Sequence, residues 1–165
     1  MKCVSYEEKG FTFVEILMVI VVLGIVAVIA ITSGIKSGAD SAALTGQTRE
    51  LISNIRTTKT LSQEESKYYG IFIDQTKSGE YYICEVDVSA VPHSYGTVVE
   101  TVVLDRGITI SSADSSDLKF SFTPGGTCWD EDGDNDTGPY QIILSDTSGK
   151  TKNVETTNLG LVELK

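Results

Sequence analysis

The sequence predicts an α+β protein, with one long N-terminal helix followed by a mostly antiparallel β-sheet domain. Three observations carry this. Residues 16–35 are 20 consecutive positions without a charged side chain, the length a helix needs to cross ~30 Å of hydrocarbon. Beyond that run, apolar residues recur at three- and four-residue steps as far as Ile55. From Tyr68 onward the texture changes to short alternating runs divided by turn residues, which is the pattern of strands. The 165 residues accommodate one membrane helix and one compact domain of about 100 residues.

The first element is expected over residues 11–35. Its Val and Ile are β-branched and its Leu bulky, but in lipid every backbone group must pair within its own segment, so the segment is helical. Glu15 is the anomaly, a carboxylate five residues into the apolar block that opens at Phe11. Such a group is costly in a bilayer and points to a partner. The helix is expected to continue over 36–66. There Ala39, Ala42, Ala43, Gly46, Leu51, Ile52 and Ile55 share one face, while Asp40, Gln47, Arg49, Glu50, Ser53, Asn54 and Arg56 fill much of the other.

Residues 67–165 form the β-rich domain. Strands are expected at 69–74, 80–88, 97–104 and 107–111, with a turn at 75–79. Tyr82, Cys84, Val86 and Val88 share a face of the second strand. Leu118, Phe120 and Phe122 alternate with Lys119 and Ser121, a half-buried strand. Residues 140–144 form another, and 151–156 and 161–164 close the sheet as a hairpin around Asn158-Leu159-Gly160.

The run Lys9-Gly10-Phe11-Thr12-Phe13-Val14-Glu15 ahead of a membrane-length apolar stretch resembles the class III signal of type IV pilins and type II secretion pseudopilins. The resemblance implies that residues 1–10 are a leader removed by a prepilin peptidase, which cuts after Gly10. It implies N-methylation of Phe11 and an assembly role for Glu15. Lys2 and Lys9 are offset by Glu7 and Glu8, so this leader has no net charge, where family leaders are usually basic. A plain secretory signal would have a shorter apolar core. A simple single-pass anchor would explain the hydrophobicity but neither Glu15 nor the Gly10-Phe11 junction. The C-terminal texture, Phe120-Ser121-Phe122-Thr123-Pro124-Gly125-Gly126, then Tyr140-Gln141-Ile142-Ile143-Leu144, then Gly160-Leu161-Val162, is similar to minor pseudopilins of the GspH/FimT type.

The formal charge of −10 and the scattered cations argue against a nucleic-acid partner. Cys3 lies in the leader. For Cys84 and Cys128 two readings stay open, a disulfide outside the cytoplasm or two buried free thiols. Five of the seven residues at 130–136 are acidic, and Asp130, Asp132, Asp134 and Asp136 alternate as oxygen ligands do in calcium loops. The EF-hand pattern itself fails, since Thr137 displaces its glycine and no bidentate Glu follows. A solvated acidic loop is the competing reading. His93 is the sole histidine and reads as a loop residue; Trp129 reads as a packing or partner-contact residue. No nucleophile elbow or phosphate loop occurs, so no enzyme is expected.

These readings converge on a structural subunit of a type II secretion pseudopilus or type IV pilus, minor in type, with a major subunit as the open alternative. Its expected location is the inner membrane, crossed once, with the C-terminal domain periplasmic or extracellular. Its expected partners are other subunits, the peptidase and methyltransferase, an inner-membrane assembly platform and the bilayer. No cofactor is expected beyond calcium. The alternative is a membrane-anchored, calcium-dependent binding or adhesion module.

Overall fold

The computed structural model describes residues 12–105, 107–113, 116–133 and 138–165, and the backbone alone for residues 28–39. Helix α1 spans Phe13–Glu65. Nine strands follow: β1 Tyr69–Ile73, β2 Glu80–Asp87, β3 Ser94–Val103, β4 Thr109–Ser112, β5 Leu118–Phe122, β6 Cys128–Trp129, β7 Tyr140–Ser145, β8 Thr151–Thr156 and β9 Val162–Leu164. The chain divides into two units, Met1–Gly38 and Ala39–Lys165.

In the second unit the strands make two antiparallel sheets, in the orders β3-β2-β1-β5-β6 and β4-β7-β8-β9. One core joins them. The helix contributes Leu44, Leu51 and Ile55, the first sheet Ile71, Ile73, Tyr81, Phe120 and Phe122, and the second Ile110, Ile142, Leu144 and Val154. Burying each of these larger aliphatic and aromatic groups stabilises the fold by roughly 1.5–3 kcal/mol.

The buried stripe of α1 is Leu44, Thr48, Leu51, Ile55, Thr58 and Ser62. Its polar members are satisfied locally. Thr48 Oγ1 donates to the Leu44 carbonyl at 2.6 Å and Thr58 Oγ1 to the Asn54 carbonyl at 2.7 Å. The Ser62 hydroxyl lies between the Phe122 carbonyl, at 2.6 Å, and the Lys67 carbonyl, and shares one proton between them. At the sheet, Asn54 Nδ2 donates to the Tyr81 hydroxyl at 2.8 Å. Burial pushes that phenol up to about 12.

The face of the first sheet turned away from this core carries a second layer. Cys84, Gly70, Ser121 and Trp129 lie in one cross-strand row. A Cβ on Gly70 would sit 2.6 Å from the Phe120 carbonyl oxygen and 2.7 Å from the Tyr95 ring. Only a glycine admits that ring over the sheet.

Most expected strands are present, but four features differ. The β region is two sheets where one was expected. Strand β6 was not anticipated, because two residues have no period. Strand β3 begins at Ser94, three residues before the expected start. Finally, Ala42 and Gly46, placed on the helix's core face by the sequence, are exposed, whereas Gln47 is buried. The threonines and Ser62 replace apolar residues in the true stripe, so hydropathy alone rotates the face.

Candidate functional site

Thr12 caps α1. Its Oγ1 accepts the Glu15 N–H at 3.3 Å, and its carbonyl accepts the N–H groups of Glu15 and Ile16 at 3.0 and 3.2 Å. Thr12 and Glu15 thus occupy the N-cap and N3 positions of a capping-box sequence. A carboxylate in the first turn also faces the positive end of the helix dipole. Glu15 therefore supports its own helix. Sequence reasoning overlooked Thr12, although Thr-x-x-Glu before an apolar run is its signal. Gly10 and Phe11 lie outside the described residues.

Around Glu15 the helix is apolar on every side. All described side chains from 12 to 27 are exposed, among them Phe13 at 79 %, Ile16 at 51 % and Val26 at 56 %. A helix apolar all round has no face that water suits. Among the described residues no helical stretch is long and apolar enough to cross a membrane. The expected 11–35 span falls partly outside the described side chains, which stop at Ala27 and resume at Asp40.

Of the acidic loop, Asp130 and Asp132 are described, while Asp134 and Asp136 lie outside the described residues. Asp130 Oδ1 accepts the Asp132 N–H at 2.9 Å, and Glu131 pairs with Lys119 at 3.0 Å. No three metal-ligating groups gather among the described residues. The described part of the loop packs on His93. The His93 N–H donates to the Glu131 carbonyl, and a Cβ at Gly133, whose φ is +79°, would sit 2.9 Å from the imidazole. His93 is a loop residue, just before β3, but a buried one, with its ring centroid 6.2 Å from that of Trp129. Trp129 in turn lies 5.6 Å from Tyr68, so its role here is packing.

The Cys84–Cys128 disulfide is not formed; both are free, buried thiols. The register explains why. Cys84 is on β2 and Cys128 on β6, three strand spacings of about 4.8 Å apart. Trp129, not Cys128, shares the row of Cys84, so the two thiols also point to opposite faces. A disulfide needs Cα atoms closer than about 7 Å. Burial raises the Cys84 thiol to about 11 and raises that of Cys128 as well.

The glycines of the C-terminal pattern meet in space. Gly126 (φ +82°) follows β5, and Gly160 (φ +68°) precedes β9. A Cβ on Gly160 would lie 2.8 Å from the Gly126 carbonyl oxygen and 2.9 Å from Lys59 Nζ. A Cβ on Gly126 would lie 2.6 Å from Gln63 Nε2. Lys59 Nζ donates to the Leu159 and Gly160 carbonyls at 3.1 and 3.2 Å, and the Cys128 N–H to the Asn158 carbonyl at 2.8 Å. Two turns 34 residues apart in the pattern (Gly126 to Gly160) are thereby clasped onto one flank of α1.

Residues 7–31 match the family model described as the prokaryotic N-terminal methylation motif. The fold is similar to that of the type IV minor pilin FimU of Pseudomonas aeruginosa, at 14 % identity and a TM-score of 0.58, over 76 % of this chain and 90 % of that one. It is also similar to the minor pseudopilin EpsH from the type 2 secretion system of Vibrio cholerae. There the identity is 7 % and the TM-score 0.52, over 74 % of this chain and 95 % of that one. No curated protein has a matching sequence. The chain is thus a protein of pilin-type α+β fold that carries a prepilin-type N-terminal methylation motif.

Proposed function

We propose that this chain is a structural, non-enzymatic subunit, minor in type, of a type IV pilus or type II secretion pseudopilus. The observation that carries this reading is the helix of residues 13–26, exposed and apolar on all sides, with one carboxylate at its first turn beneath a methylation motif. Such a surface requires lipid or the like helices of neighbours. The 11–35 segment holds the chain in the inner membrane, and the domain that follows lies in the periplasm or outside. A prepilin peptidase removes residues 1–10, and Phe11 becomes an N-methylated terminus. On extraction into a filament by an assembly platform, Glu15 meets the ammonium of a neighbouring subunit. An isolated charge in that apolar core would be costly, so the pair fixes the register of one helix against the next.

Mass spectrometry of the mature protein tests this. The expected terminus is Phe11 with one added methyl. Retention of residues 1–10, in a host that processes its other pilins, sinks the reading. Glu15→Val is expected to be processed normally yet to be missing from sheared filaments.

A further inference from the structure

We propose that β3 is a docking edge that receives an extended strand from a different, basic protein chain. Sheets end where neighbouring backbone is absent, and natural proteins keep such edges short or charged with lysine. Three of the four terminal strands here obey this: β6 has two residues, β4 four and β9 three. Strand β3 has ten. It contains no Pro, Lys or Arg, and one charge, Glu100. Val98, Val99 and Val103 are 49 %, 53 % and 69 % exposed. Among the described residues, no backbone hydrogen bond outside the β2 ladder involves residues 95–103. A ten-residue β-branched strand with a bare outer row of amides and carbonyls, bulged against β2 opposite Ile83/Cys84 and Glu85/Asp87, still offers strand addition a template at Glu100–Val103.

Charge selects the occupant. Glu100 on β3 and Asp105 just beyond its end are the charges of this edge, and among the described residues neither has an ion-pair partner. A second copy in antiparallel pairing would set this acidic edge against itself, in a chain of net charge −10. Like charges across a ladder destabilise it. An incoming strand of alternating Val or Thr with Lys or Arg would satisfy both the backbone row and the carboxylates.

The test uses the full-length protein in detergent. It is titrated to millimolar concentration with the peptide Lys-Val-Thr-Val-Lys-Val-Thr, and backbone amides are followed by NMR. The expected result is saturable shifts confined to residues 94–103, with slowed amide exchange there. Val99→Lys and Glu100→Lys, both at exposed positions, are each expected to weaken binding at least about tenfold without lowering the melting temperature. Absence of saturable shifts, or equal binding of a peptide with Glu in place of Lys, overturns the proposal. A dimer by light scattering that Val99→Lys dissolves assigns the edge to a second copy and overturns it too. None of these outcomes bears on the processing of Phe11.

Discussion

Gly160 shows how much one hydrogen atom in place of a methyl can decide. Its φ of +68° is in the left-handed region, and its missing Cβ is the space in which Lys59 and the Gly126 carbonyl meet. Gly160→Ala is expected to lower stability by about 1–3 kcal/mol, read as a drop in thermal midpoint. Ser62 is a second such position, and Ser62→Ala leaves two carbonyls with one donor fewer. A loss of about 1–3 kcal/mol is expected by chemical denaturation. Asp146 sets a pH dependence. Its Oδ1 accepts from the Ser148 hydroxyl and from the N–H groups of Ser148 and Lys150. These bonds, the Ser148 hydroxyl first, hold its carboxyl below the usual range. A lowered folded value means the stabilisation is complete above the unfolded value of about 3.9 and fades as pH falls through the folded one. Thermal midpoints measured from pH 5 down to 2.5 are therefore expected to fall, and Asp146→Asn to flatten that slope.

At the scale of elements, the first turn of α1 is held by Thr12. Thr12→Ala is expected to cost about 1 kcal/mol of local helix stability, detected as faster exchange of the Glu15 amide with the core unaffected. The strands that the sequence reveals are those with a clean period. In β7, Tyr140, Ile142 and Leu144 are buried while Gln141 is exposed, so alternation reports the face directly. The turn at Asn158-Leu159-Gly160 was also legible, because glycine marks its left-handed corner. Other elements were hidden for physical reasons. In α1, Thr48, Thr58 and Ser62 bury their hydroxyls by returning the proton to carbonyls, three of those bonds being to the helix itself or its end, so polar letters occupy a core stripe. In β2, Tyr81 and Ile83 face one layer and Tyr82 and Cys84 the other, which erases alternation. The site divided in the same way. Glu15 stands out because a charge interrupts an apolar run, whereas the meeting of Gly126 with Gly160 depends on tertiary structure no local pattern records.

At the scale of the whole molecule, acidity and two isolated thiols set what the fold tolerates. Two carboxylates of the first sheet find cations, in the pairs Lys67–Glu85 at 2.9 Å and Lys77–Glu80 at 3.4 Å, and Glu131 in the loop after β6 pairs with Lys119 at 3.0 Å, but exposed pairs of this kind contribute at most about 1 kcal/mol each. The cysteines make the separation of layers measurable. Each lies on a different side of the sheet, and Cys84 at about 11 is protonated at neutral pH. With Cys3 replaced by Ser or removed with the leader, the native protein is expected to resist iodoacetamide at pH 8 and to take up label at both Cys84 and Cys128 once unfolded, as read by intact mass. Cys84→Ser is expected to leave the redox behaviour of Cys128 unaltered.

The clasp at Lys59 also has a mechanical side. Strand β1 follows α1 almost at once, so tension drawn through the helix would, on chain connectivity alone, begin by peeling that strand from its neighbours. Lys59 and Gln63 instead couple the last turns of the helix to the corners before β6 and β9. A pull is thus divided between both sheets, and the final residues of the chain carry part of the load that enters at its beginning.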